Sequence, residues 1–295
     1  MKIHRWPLGI AIAGVVMAAV APAFNQDKPA DKYKFTEKDE IRQTLTFADP
    51  AKPKALRLDN VWGGVEVRGF EGKDVELVAR KTIRAKTQDR VEKAKKDIKL
   101  DISADGGTID IYVDGPFRCQ TEDCRGVRQR DWGYEVQFDF VLNVPRAIDL
   151  TLKTVTGGDV VVRGVEGAFD VSNVNGKIVM EDVAGSGDAH TVNGKVRVGF
   201  AKNPAADCSF RTINGDVELA FLAGLGADVK MKTFNGKAYS DFEATPLPAS
   251  PAVKETTATK FVYKRDRFTH VRIGRGGPEI TCDTMNGDIL LKKNS

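Results

Sequence analysis

Asn173-Val174-Asn175-Gly176-Lys177 and Thr191-Val192-Asn193-Gly194-Lys195 begin a series that continues as Thr212-Ile213-Asn214-Gly215-Asp216, Thr233-Phe234-Asn235-Gly236-Lys237 and Thr284-Met285-Asn286-Gly287-Asp288. The asparagines lie 18, 21, 21 and 51 residues apart. A recurring spacing of about 20 residues marks a stacked repeat, so the fold is read from these copies before anything else.

Aligned on asparagine as position zero, the residues one before (Val174, Val192, Ile213, Phe234, Met285) and three after (Ile178, Val196, Val217, Ala238, Ile289) are all apolar. That is the period of a strand with one buried face. Upstream, Val171, Ala189, Phe210, Met231 and Cys282 stand four before. Phe169, Gly187, Cys208, Val229 and Ile280 stand six before, with the opposite parity to the residues nearer the asparagine. The inward face is therefore expected to switch between positions minus four and minus one, ahead of the Thr-x-Asn-Gly phrase. Val174, Val192, Ile213 and Phe234 are then expected to form an inward stack, in which Ile213→Asp would bury a charge and unfold the domain.

Asn-Gly is also a strong hairpin signal, so an antiparallel meander competes with this reading. Near-identical copies pointing the same way favour parallel stacking at about 4.8 Å. The fold class expected is all-β, a solenoid of stacked two-strand repeats with one short helix. In it Asn175, Asn193, Asn214, Asn235 and Asn286 form a structural ladder of side-chain amides. Position plus two (Lys177, Lys195, Asp216, Lys237, Asp288) reads as a solvated face of weak ion pairs.

Residues 1–23 carry Lys2 and Arg5, an apolar run from Leu8 to Val20, and Ala21-Pro22-Ala23, the pattern of a secretory signal peptide. The run is short for a membrane span, so a periplasmic or secreted protein is expected, not an integral membrane protein after cleavage. Residues 24–40 read as a flexible leader and 41–295 as one repeat domain. Of the formal charge of +4 over 295 residues, Lys2 and Arg5 account for two, and no nucleic-acid footprint is present. Asn60-Val61-Trp62-Gly63-Gly64 is a degenerate copy with Trp62 in the asparagine position, as terminal repeats often are. Thr87 to Lys99 is the helical stretch, with Val91, Ala94 and Ile98 on one face and Asp89 and Lys95 placed to suit the helix dipole.

Two stretches interrupt the pattern. Residues 243–277 fill the long gap between the last two asparagines, starting with Pro246 and Pro248 and turning basic. Residues 115–134 hold Cys119 and Cys124, expected to form a disulfide, since an exported chain favours bridges and the two lie in one loop. Cys208 and Cys282 fall in inward columns, and with the Asn235 copy stacked between them they are expected to stay free thiols.

The Thr-x-Asn-Gly-Asp/Lys-Ile/Val units behind a signal peptide resemble the bacterial putative adhesin domain family, a domain of unknown function. The resemblance runs from Leu56 to Lys292 and is strongest from Asp170 onward. It implies a right-handed β-helix-like fold and a place in the cell envelope, and that family has no catalytic residues to carry over.

No phosphate loop, zinc spacing or nucleophile elbow is found, and no cofactor is expected. A polysaccharide hydrolase would need a carboxylate pair on one face. Asp216 and Glu218 share one, but Lys195 and Lys237 are expected to flank Asp216 in the ladder. The chain therefore reads as a non-enzymatic, exported, adhesin-like module that binds or scaffolds in the envelope. A polysaccharide-active enzyme and a periplasmic sensory or assembly module are the alternatives.

The candidate binding loop comprises Arg118, Arg125, Arg128, Arg130, Trp132 and Tyr134, beside Phe117. Guanidinium forks suit carboxylates and phosphates, and aromatic faces suit sugars, so an envelope glycan or an acidic protein patch is the expected partner. Replacing Arg125, Arg128 and Arg130 by Ser should lower retention on isolated cell envelopes at low salt, where exposed charges act most strongly. Unchanged retention with the fold intact would make the loop an ordinary insertion.

Overall fold

The computed structural model describes residues 32–118, 131–248, 253–256, 261–264 and 267–294. The signal segment, Cys119, Cys124, Arg125, Arg128 and Arg130 lie outside the described residues. The chain enters through β1 (Phe35–Leu45), β2 (Ala55–Asp59), β3 (Val65–Phe70) and β4 (Val75–Ala85), followed by α1 (Gln88–Asp97). Next come β5 (Lys99–Asp105), β6 (Thr108–Asp114), β7 (Tyr134–Pro145), β8 (Asp149–Lys153) and β9 (Val160–Arg163). The regular series is β10 (Phe169–Ser172), β11 (Ile178–Val183), β12 (Gly187–His190), β13 (Val196–Phe200), β14 (Cys208–Arg211), β15 (Val217–Phe221), β16 (Ala227–Asn235) and β17 (Ala238–Ser240). Then follow β18 (Ala244–Pro246), β19 (Val253–Thr256), β20 (Phe261–Lys264), β21 (Thr269–Ile273), β22 (Glu279–Asn286) and β23 (Ile289–Lys293).

These strands make two large mixed sheets, so the protein is all-β with one helix among the described residues. The ten-stranded sheet runs β1-β4-β7-β3-β9-β11-β13-β15-β23-β17, and the eleven-stranded sheet runs β18-β21-β16-β22-β14-β12-β10-β8-β2-β6-β5. Each Thr-x-Asn-Gly copy is a corner carrying the chain from the second sheet to the first, so one copy contributes one rung to both. Rungs pair in parallel and in register, as Ile178 with Val196, Val196 with Val217 and Val217 with Ile289 show. The hairpin pairing weighed for Asn-Gly is absent at these corners.

Rung order departs from chain order at both ends. β6/β7 lies outside β2/β3, although it follows it in sequence. At the other end β22/β23 is inserted between β14/β15 and β16/β17. The spatial order of asparagines is therefore 175, 193, 214, 286, 235. Cys208 and Cys282 thus sit on adjacent strands with no rung between them, correcting the expected separation by the Asn235 copy. They remain free and buried. Cys208 pairs with Ile280 and Phe210 with Cys282, an offset of two residues across one strand spacing. That sets the Cα atoms roughly 8 Å apart, beyond the reach of about 7 Å for a bridge.

The inward columns also need correction. Positions minus six, minus four and minus two face the core, as do plus three and plus five, but minus one does not: Ile213, Met285 and Phe234 are exposed. Parity breaks inside the phrase, at Asn-Gly. Ile213→Asp is consequently a surface change. The reading failed because position minus two is polar yet buried. Its threonine hydroxyls donate to a glycine carbonyl in the neighbouring rung: Thr154 to Gly63 (2.9 Å), Thr191 to Gly176 (2.9 Å), Thr212 to Gly194 (2.8 Å), Thr284 to Gly215 (2.8 Å) and Thr233 to Gly287 (2.9 Å). Asn173 does the same through its amide to Gly158 (3.1 Å). Glycine is required beside it: a Cβ on Gly215 would meet the Gly194 carbonyl oxygen at 2.1 Å.

The ends of the stack close differently from its middle. β1 and β4 add antiparallel strands beyond β7, and β5 does so beyond β6. β1 begins at Phe35, inside the stretch read as leader, because an edge strand exposed on both faces carries a polar sequence (Phe35-Thr-Glu-Lys-Asp-Glu) without core periodicity. Helix α1 buries Val91 and Ala94, and Ile98 follows its last turn.

Because Thr284 is buried to 1% and its hydroxyl partners a carbonyl, Thr284→Val keeps the shape and orphans the Gly215 oxygen. A loss of about 1–3 kcal/mol in urea unfolding is expected, against a few tenths for the exposed Met285→Ala.

Candidate functional site

The outward side of the corners forms a groove of about 540 Å³. Two rows of side chains line it, each residue one strand spacing from the next. Ordered along the stack, the apolar row is Val192, Ile213, Met285 and Phe234, at position minus one. The polar row, at minus three on the same outward face, is His190, Arg211, Asp283 and Lys232, in register through β12, β14, β22 and β16. Exposure along the apolar row rises from the half-buried Val192 to Ile213 at 44%, Met285 at 51% and Phe234 at 71%. Threonines 191, 212 and 284 form the floor, with their hydroxyls already turned inward.

Lys232 Nζ pairs with Asp283 Oδ2 at 3.0 Å, which leaves that end of the polar row close to neutral. Arg211 is different: its Nε donates to Ser209 Oγ at 3.0 Å, and it has no ion pair among the described residues. The groove can thus hold an apolar group along one wall while presenting a guanidinium on the other. Sequence reading missed it, because the same apolar residues were assigned to the core. The available signal was their size: side chains as unlike as Val192, Phe234 and Met285 in one column suit an unconfined row better than a closely packed one.

On the neighbouring face, Glu218 is a carboxylate surrounded by three cations. Lys195 Nζ lies 2.5 Å from Oε2, Lys292 Nζ 2.7 Å from Oε1 and Arg197 Nε 3.6 Å away, with the Glu218 side chain 11% exposed. Burial alone would raise this carboxyl, but the hydrogen bonds from Lys195 and Lys292 prevail and hold it at about 2. Asp216, its neighbour on the same strand, accepts from the Asp288 backbone N–H at 3.0 Å. Asp288, not Lys237, is the next residue in that ladder, because the rung order is exchanged. Both oxygens of Glu218 are engaged by lysines, an arrangement that ties rungs together.

The asparagine column is a continuous chain of amide hydrogen bonds. Nδ2 of Asn193 donates to Oδ1 of Asn175, Asn214 to Asn193, Asn286 to Asn214 and Asn235 to Asn286, each at 2.7 Å. Thr156 and Trp62 continue the column in the next two rungs. The described part of the candidate arginine loop fills the same corner in the β6/β7 rung. There Phe117 is buried edge-on against Trp62, with centroids 4.6 Å apart.

Arg118 reaches back into the fold: its guanidinium donates to Val113 O and Asp59 O, pairs with Asp59 Oδ1 at 2.9 Å and stacks 4.5 Å over the Tyr112 ring. Tyr134 is buried and donates to Asp97 Oδ2 at 2.5 Å. Burial and that carboxylate raise its hydroxyl pKa. Trp132 packs against the core. These three side chains anchor the stems of the loop.

No family model matches the chain, and no curated protein does. Solved structures similar to it include a putative cell adhesion protein from Clostridium sporogenes, with TM-score 0.42, 11% identity, and 88% of this chain and 100% of that one covered. A putative adhesin from Bacteroides fragilis has TM-score 0.37 at 10% identity, covering 88% and 98%. A putative lipid binding protein from Parabacteroides distasonis has TM-score 0.28 at 11% identity, covering 89% and 98%. Among the described residues no helix is long and apolar enough to cross a membrane, and no group of three or more His, Cys, Asp or Glu could hold a metal ion.

The depressed Glu218 pKa fixes the sign of a pH effect. Its ionised form stabilises the fold fully above the ordinary value of 4.5, and that contribution is lost as pH falls toward about 2. Glu218→Gln should lower stability at neutral pH and flatten the acid limb of the stability curve within that window, as measured by thermal unfolding across pH.

Proposed function

We propose that the protein is an exported, non-enzymatic, adhesin-like module that binds or scaffolds in the cell envelope, with its parallel rungs forming the coils of a β-helix-like solenoid. In-register parallel pairing on both sheets and the unbroken amide ladder support the solenoid reading. The groove is the observation that carries the binding reading. It gathers three exposed apolar side chains in one row, beside Arg211, which has no ion pair among the described residues. Isolated exposed apolar residues are ordinary, whereas a contiguous row rimmed by polar groups marks a contact surface. A partner that suits it offers apolar groups along one edge and carboxylates along the other, as an envelope protein or an acidic glycan bearing apolar substituents would.

Ile213→Ser combined with Phe234→Ser removes two of the three exposed members of the row without touching a buried position. Retention on isolated envelopes should then fall roughly tenfold or more, since anchoring aromatic and aliphatic groups commonly contribute about 2 kcal/mol or more each. Unfolding temperature should stay near that of the parent. Full retention in a folded variant would remove the groove as the binding surface and direct attention to the arginine loop.

A further inference from the structure

Asn-Gly is the dipeptide in which the following amide nitrogen most easily attacks the asparagine side chain, because glycine has no Cβ to hinder the approach. Five such pairs stand in the ladder, at Asn175, Asn193, Asn214, Asn286 and Asn235. Attack needs a glycine nitrogen free to lose its proton to solvent and to swing toward the asparagine Cγ. In four of the five that nitrogen is already committed. Gly176 donates to the Asn193 carbonyl (3.0 Å), Gly194 to Asn214 (3.0 Å), Gly215 to Asn286 (2.9 Å) and Gly287 to Asn235 (3.1 Å).

These bonds all point the same way along the stack, each toward the next rung. Beyond the Asn235 corner no further corner is stacked among the described residues, although β21 continues the second sheet past β16. Gly236 is exposed and its N–H has no partner among the described residues, and the Asn235 side-chain oxygen accepts no hydrogen bond there either. At the opposite end Asn175 is not equivalent, since Gly176 is bonded and the Asn175 oxygen accepts from Asn193. The hydrogen bonding thus singles out one site from five with the same local sequence. That site is the fourth copy in the chain, and it is outermost only because β22/β23 is inserted inside it.

We propose that Asn235 is a self-modification site, an asparagine that deamidates in the folded protein while the other four ladder asparagines are protected. Solvent base takes the Gly236 amide proton, the nitrogen forms a bond to Asn235 Cγ, and Nδ2 departs with that proton as ammonia, leaving a five-membered succinimide. Water then adds at one of the two ring carbonyls and opens it to aspartate or isoaspartate. The net change is one water consumed and one ammonia released, with no oxidant or cofactor.

The new carboxylate has no hydrogen to donate to Asn286 Oδ1, so the 2.7 Å bond joining the last rung to its neighbour is lost. Isoaspartate would also lengthen the backbone by one methylene just before β17, a three-residue strand that among the described residues pairs only with β23. Because Phe234 precedes this residue, the modification would add a negative charge at the exposed end of the groove.

The test uses the unmodified full chain, held folded at mildly alkaline pH and sampled over days. Each sample is digested and the five Asn-Gly peptides are followed by mass spectrometry with fragmentation that distinguishes aspartate from isoaspartate. Asn235 should convert first, with the other four at least roughly tenfold slower, the ratio given by an opening free energy of about 1.4 kcal/mol. In urea all five should convert at comparable rates, showing that the difference arises from the fold. Asn235→Gln should abolish the earliest acidic species in isoelectric focusing. Equal rates in the folded chain, or Asn286 converting ahead of Asn235, would overturn the proposal.

Discussion

The structure depends on one hydrogen bond repeated from corner to corner, from an inward side chain at position minus two, a threonine hydroxyl at most corners and the Asn173 amide at one, to the glycine carbonyl of the adjacent rung. A chain that leaves one sheet for another must expose a few backbone carbonyls at the bend, and between stacked rungs no water is at hand to satisfy them. Threonine meets this need with a β-branched side chain that also suits the strand end. Removing the glycine Cβ lets the rungs approach closely enough for the bond to form. Asparagine then carries a second, outward chain of bonds in the same direction. The phrase Thr-x-Asn-Gly is therefore a complete description of a corner, and only its x is left unconstrained by stacking.

The exchanged order of rungs follows from the problem of ending such a stack. An open end exposes a row of unpaired N–H and C=O groups, together with the core behind them. Here the chain goes out and returns at each end: β4, α1 and β5 intervene between the β2/β3 rung and the outer β6/β7 rung, and residues 241–278 intervene between β16/β17 and the inner β22/β23. The second sheet is closed by antiparallel β21 and β18, whereas the first ends on short β17. That asymmetry makes the last rung the least secured part of the regular stack, and Ala238 is exposed where its counterparts Val196, Val217 and Ile289 are fully buried.

Much of this was legible in the sequence. Alternating columns at minus four and plus three, a helix between Thr87 and Lys99 that the structure shows as Gln88–Asp97, and Trp62 standing in for asparagine could all be read from spacing. What could not be read has physical causes. Buried Thr191, Thr212 and Thr284 are polar, so hydrophobic periodicity places them outside and shifts the apparent corner by several residues. Rung order is a long-range property, because the 51-residue gap reveals an insertion but not which side of the previous rung the chain returns to. Arg118 and Tyr134 sit in a stretch whose composition suggested a free binding loop, yet Asp59 and Asp97, distant in sequence, hold them as anchors.

The outward x column argues about function from stability. Ordered along the stack it reads Val61, Val155, Val174, Val192, Ile213, Met285, Phe234. Val61 is fully buried and Phe234 is 71% exposed. Side-chain size grows in the direction in which cover disappears. Selection for folding alone would do the reverse, because a large apolar group left in water gains little from the hydrophobic effect in the folded chain. Nor does the corner need it, since the x residue bonds to the next rung through its backbone carbonyl, whatever its side chain. The enlargement from Val192 to Phe234 thus supports the proposed role of the groove as a contact surface, where Arg211 on the opposite wall would favour a partner of negative charge.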